Sequence, residues 1–274
     1  MKLATYPIHH TPWHEPPVLF LHGLFGKARN MQRFQKALFP TYDSLAMDLR
    51  NHGQSPHGET NLIVMAEDVK ETLQAHHIPP CIVVGHSLGG KIGMLLALLY
   101  PELVKGLVVA DIPPAVTGHG MKPLAEKMYQ TPFPERFSYQ GLNERQAAEQ
   151  WLHHISDVPR IQQLLMQNID FSLKNPPKWS IGVAEIWHGI DTIQGWPDLP
   201  PDLSYPGPCL FIKGECSPYI TEDHFPLIKK LFPTYQLTIL KEAGHWLQVD
   251  NREGFIESIV SFLYAISNKP FPSS

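Results

Sequence analysis

The chain has 274 residues, 43% of them hydrophobic and 18% charged, enough for one large domain or two modest ones with a sizeable core. A formal net charge of −4, with no basic run or stripe along the chain, argues against a nucleic-acid partner. The opening stretch MKLATYPIHHTPWHEPPVLF lacks the charged-then-apolar pattern of a signal peptide, and the longest apolar run, IGMLLALLY, is too short to span a bilayer. Three unpatterned cysteines, Cys81, Cys209 and Cys216, suggest neither a disulfide framework nor a zinc site. These features point to a soluble protein of a reducing, cytoplasmic compartment.

Short apolar runs recur along the chain: VLFLHG (18–23), SLAMDLR (44–50), CIVVGHS (81–87), GLVVAD (106–111), CLFIKGE (209–215) and QLTILKEAGH (236–245). Continuous runs of this length suit strands buried on both faces, as in a parallel sheet. Helix-period segments lie between them. In 61–78, Leu62, Met65, Ala66, Val69 and Leu73 share one face; in 252–266, Phe255, Ile259, Phe262, Leu263 and Ile266 do the same. The alternation predicts an α/β fold, a mostly parallel central sheet with helices on both faces. Residues 113–205 break the rhythm with proline-punctuated helical pieces and no convincing buried strand. They read as an inserted helical cap, with 1–112 and 206–274 forming one core domain.

Gly85-His86-Ser87-Leu88-Gly89 matches G-x-S-x-G between a buried strand and a helix, the context a strained nucleophile turn requires. A neutral serine needs an adjacent base. Among 15 histidines, His245 stands out because EAGHW follows the strand QLTIL, where the chain leaves the edge of the sheet that gathers catalytic groups. His86 adjoins the serine, but its side chain is expected to diverge at a tight turn. The orienting acid is Asp111, at the end of GLVVAD, with Glu215 as the alternative. The loop after CLFIKG carries Ser217 where a reaching acid would stand. The oxyanion donors are the Leu88 N–H at the helix start and the Leu24 N–H in HGLFG, with Phe25 next. His22, Asp48 and Arg50 read as structural. Asn51 and Lys91 are placed either against substrate or in loop bracing.

The motifs HGLFG (22–26), DLRNHGQS (48–55), GHSLGGK (85–91), VVADIPP (108–114), GECSPY (214–219) and EAGHW (242–246) resemble the α/β-hydrolase superfamily, and more narrowly small bacterial esterases of the YbfF type. The resemblance spans nearly the whole chain and is weakest through 113–205. It implies an acid from the strand before the cap, which is Asp111 here. It also implies a small-molecule acyl ester substrate, in some members a thioester, and chemistry with no metal or organic cofactor. A carbon–carbon bond hydrolase, a perhydrolase and a non-catalytic ligand-binding protein are the alternatives. Four tryptophans, Trp151, Trp179, Trp187 and Trp196, fall in the cap and either line an acyl pocket or hold the helical layer onto the sheet.

Overall fold

The computed structural model describes residues 1–14, 16–118, 120–138, 141–171 and 176–267. In chain order the strands are β1 (Thr5–Ile8), β2 (Val18–Leu21), β3 (Ser44–Met47), β4 (Cys81–His86), β5 (Val104–Ala110), β6 (Ile169–Asp170), β7 (Lys178–Trp179), β8 (Cys209–Gly214) and β9 (Tyr235–Leu240). The α-helices are α1 (Gln32–Leu38), α2 (Leu62–Ala75), α3 (Leu88–Leu99), α4 (Met121–Gln130), α5 (Glu144–Trp151), α6 (Pro159–Met166), α7 (Val183–Gln194), α8 (Phe225–Leu231), α9 (Leu247–Asp250) and α10 (Arg252–Ser267).

Seven strands form one sheet in the order β1-β3-β2-β4-β5-β8-β9, parallel except for β1. Successive strand side chains point to opposite faces, and the core divides accordingly. Leu19, Leu21, Val83, Leu107, Val109 and Phe211 pack on one face with residues of α2, α3 and α8. Val18, Phe20, Ile82, Val84, Val108 and Ile212 pack on the other with α1 and α10. The continuous apolar runs thus serve two cores at once, the reason they do not alternate.

The sequence reading differs from the structure at the sheet edges. β1 leaves no apolar run in the sequence, because TYPI is short, contains a proline and pairs antiparallel at the rim. β9 is an edge strand rather than one buried on both faces, with Ile239 54% exposed. Between β5 and β8 lie α4 to α7 and a small antiparallel pair, β6 with β7. That pair is two residues long per strand, too short to leave a periodic signal.

In a parallel sheet the strand ends that lead into the helices all open at one edge. Ser87 follows β4, Asp111 follows β5 and His245 lies in the loop after β9, so strand order alone brings three distant segments to that edge.

Candidate active site

Ser87 occupies the turn from β4 into α3 with φ 52° and ψ −117°, a conformation a side chain rarely adopts. The turn is fixed by close approach. A Cβ on Gly85 would stand 2.2 Å from the Gly89 carbonyl oxygen, and one on Gly89 would stand 2.3 Å from that of Leu21. Only hydrogen fits at either place. The Ser87 N–H donates to the Ala110 carbonyl at 3.0 Å and so ties the turn to β5.

His245 Nε2 lies 3.0 Å from Ser87 Oγ, and its Nδ1 lies 2.8 Å from Asp111 Oδ2. A carboxylate can only accept, so Nδ1 carries the proton and Nε2 is left to accept from the serine hydroxyl. Asp111 is fully buried, at a positive φ of 54°. Its Oδ1 accepts the Gly214 N–H at 3.0 Å, and its Oδ2 also receives the Ser217 hydroxyl. Glu215, the alternative acid, turns elsewhere: its Oε2 accepts the Glu242 N–H at 2.9 Å.

Leu24 and Leu88 both line the cavity over Ser87, and among the described residues neither N–H has a hydrogen-bond partner. The Phe25 N–H is engaged, donating to His52 Nε2 at 3.0 Å. Two buried histidines hold this loop. His52 Nδ1–H donates to the Arg50 carbonyl at 2.8 Å, and burial pushes the ring down to about 3, so it stays neutral and accepts from Phe25. His22 accepts the Leu49 N–H at 3.0 Å through Nε2 and donates from Nδ1 to the Gly23 carbonyl at 2.8 Å, and burial lowers its pKa. Asp48 braces the same region by accepting from the Ala28 N–H at 2.7 Å and the Tyr6 hydroxyl at 2.8 Å, while Arg50 is bidentate to Asp68.

Two contacts around His245 carry no linear signal. Tyr219 stacks on its ring with centroids 3.6 Å apart and planes at 10°. His86 lies beside it rather than beside Ser87, with its Nε2–H donating to the His245 carbonyl at 2.9 Å. Burial pushes His86 down to about 3, which fits a neutral brace. His86, Ser217 and Tyr219 lie inside the motifs GHSLGGK and GECSPY, but only the fold shows what they touch.

The cavity has a volume of about 920 Å³. None of the four tryptophans of 113–205 lines it; Trp151 stacks instead on Phe133 at 4.4 Å and meets Trp179 at 5.8 Å. Trp151 belongs to the same hydrophobic core as Leu21, Val83 and Phe211 of the sheet, and Trp179, Trp187 and Trp196 pack against that core. Asn51 bonds Gly58 and Thr60 within its loop, whereas Lys91 lines the cavity and reaches the end of α7, donating to the Gln194 and Gly195 carbonyls at 2.8 and 2.7 Å. Burial pushes Lys91 down to about 7. At the opposite end of the sheet, His10, His14 and Asp43 place potential metal-ligand atoms within 4.8 Å of one another, with Asp43 already accepting from His10 and the His14 N–H. No helix of the described residues is long and apolar enough to cross a membrane.

Residues 16–252 match the family model of the alpha/beta hydrolase fold. The chain is 34% identical over 264 residues to a zebrafish (Danio rerio) protein named sn-1-specific diacylglycerol lipase ABHD11, covering 94% of this chain and 82% of that one. It is 29% identical over 256 residues to the Escherichia coli esterase YbfF, covering 90% and 92% of the two chains. A solved structure titled marine microorganism esterase superposes with a TM-score of 0.87 at 29% identity, over 96% of this chain and 99% of that one. With the family model matched over most of its length, this hydrolase enzyme belongs to the alpha/beta hydrolase fold family.

Proposed function

We propose that the chain hydrolyses carboxylic esters through an acyl-enzyme on Ser87, with His245 as base and Asp111 as orienting acid. The observation that carries this reading is the unbroken line from Ser87 Oγ to His245 Nε2 at 3.0 Å and from His245 Nδ1 to Asp111 at 2.8 Å. Relatives named as an esterase and a lipase agree with it.

Ser87 Oγ attacks the acyl carbonyl carbon as its proton passes to His245 Nε2. The tetrahedral oxyanion is held by the Leu24 and Leu88 N–H groups, each worth on the order of 10²–10³ in rate. The C–O bond to the leaving alcohol breaks, and His245 returns the proton to that oxygen. Water then gives its proton to His245 and attacks the acyl-enzyme, releasing the acid and restoring Ser87. Acyl thioesters fit the same scheme with sulfur as the leaving atom. We assign 1–112 and 206–274 to a core domain carrying the three side chains, and 113–205 to a cap over the cavity.

The test is pre-steady-state release of p-nitrophenol from a simple p-nitrophenyl ester. A burst stoichiometric with enzyme is expected from the natural chain and none from Ser87→Ala; equal turnover by both would defeat the assignment.

A further inference from the structure

The charged side chains lining the cavity over Ser87 are all of one sign, although the chain as a whole carries a formal charge of −4. Arg29, Arg33, Lys36, Arg160 and Arg252 are exposed and line its mouth, and no Asp or Glu does so among the described residues. In the sequence these cations form no run. The fold collects them from the turn before α1, from α1, from α6 and from the start of α10. Arg29, Arg33 and Lys36 are spaced i, i+4, i+7 along the helical stretch Ala28–Leu38, so they share one face while Met31, Phe34 and Leu38 are buried.

Neutralisation from within the chain is slight. Arg160 meets Asp250 at 2.8 Å, but among the described residues Arg29, Arg33, Lys36 and Arg252 have no carboxylate within 4.0 Å. Two lysines stand deeper. Lys27 donates to the Gln167 carbonyl at 2.7 Å, and Lys91 donates to the carbonyls that end α7. Like charges gathered around one opening repel one another, and low-dielectric walls focus their field into it. A bound anion relieves that repulsion, and the arginine forks match phosphate and carboxylate oxygens.

We propose that this mouth recognises an anionic group, phosphate or carboxylate, on the part of the substrate that stays outside the acyl pocket. The inference rests on the hydrolase reading above and narrows its substrate class. The group arrives either on a soluble ester or on the headgroup of a lipid.

The experiment compares kcat/KM for p-nitrophenyl butyrate and its ring-carboxylated counterpart, with Ser87→Ala as blank. The carboxylated ester should be preferred on the order of tenfold at low salt. The preference should shrink as salt rises from about 0.01 to about 1 M and the screening length falls from about 30 to about 3 Å. Arg29→Ala/Arg33→Ala/Lys36→Ala should lower the ratio several-fold, whereas Lys2→Ala/Lys105→Ala/Lys230→Ala, away from the mouth, should keep it. A parallel arm sediments the protein with phosphatidylglycerol or phosphatidylcholine vesicles. Salt-sensitive retention on the former, lost in the mouth variant, assigns the anion to a lipid headgroup; ester preference without retention assigns it to a soluble substrate. Ser87-dependent turnover of both esters with no preference, no salt effect and no retention overturns this inference alone. Turnover of neither ester defeats the reading of ester hydrolysis through Ser87, and with it the substrate class argued here.

Discussion

Ser217 donates its hydroxyl to the same Asp111 oxygen that receives the His245 Nδ1–H. The loop after β8, where a reaching acid would stand, thus supplies a donor that steadies Asp111, the candidate acid just after β5. Asp111→Asn is expected to lower kcat by about 10⁴, because the amide favours the wrong imidazole tautomer. Glu215→Gln should change kcat little, since its carboxylate braces Glu242. Steady-state kinetics on refolding-checked variants decide; the reverse ranking would move the acid to Glu215.

Ser217→Ala removes one hydrogen bond to a buried carboxylate, an interaction worth about 1.5–3 kcal/mol. A fall in kcat of about tenfold is expected, with KM nearly unchanged because Ser217 lies outside the cavity lining. A large rise in KM at constant kcat would contradict the positioning role.

Gly89→Ala places a Cβ 2.3 Å from the Leu21 carbonyl, where backbone must move, while Gly118→Ala meets nothing within 4 Å. Overpacking of this kind costs about 1–3 kcal/mol or more, which in a chain of this size is a Tm loss of several degrees. Calorimetry should show that loss for the first variant and almost none for the second.

His52 and His86 are both pushed down to about 3 by burial. Between the ordinary histidine value of about 6.5 and about 3, the unfolded chain binds protons there that the folded chain refuses. Stability therefore rises with pH across that window and is lost on acidification, by up to about 1.4 kcal/mol per pH unit for each ring. Urea titrations at pH 7 and 4.5 should show a steep loss, reduced in His52→Gln; parallel curves would argue that the ring is not held neutral.

Lys91 is pushed down to about 7 by burial, so between about 7 and the unfolded value near 10.4 the unfolded chain again holds the extra proton. Here too stability rises with pH, and the burial cost is fully present only below about 7. The stability of the natural chain relative to Lys91→Met should grow from pH 7 to pH 9. A difference independent of pH would mean that the helix-end carbonyls hold the ammonium charged throughout.

Linear features determined much of the site. The strand-to-helix context of Gly85–Gly89 marked the elbow, because a turn that tight excludes every side chain but the one it presents. The run ending at Asp111 marked a strand end because a doubly buried strand reads as an unbroken apolar stretch, whereas QLTIL before His245 marked one although β9 lies half-exposed at the sheet edge. Short or rim elements such as β1, β6 and β7 left no comparable trace, since proline-broken or two-residue strands have no run to show.

Tertiary structure alone decided what meets what. The stacking of Tyr219 on His245, the Ser217 bond to Asp111 and the neutral His86 brace depend on strand order, which places β8 between β5 and β9. The cationic mouth depends on it as well: Arg33, Arg160 and Arg252 are more than a hundred residues from one end of the set to the other, and only folding puts them around one opening. Local chemistry is written in neighbouring residues, whereas a field or a stacked pair is a sum over groups the chain itself keeps apart.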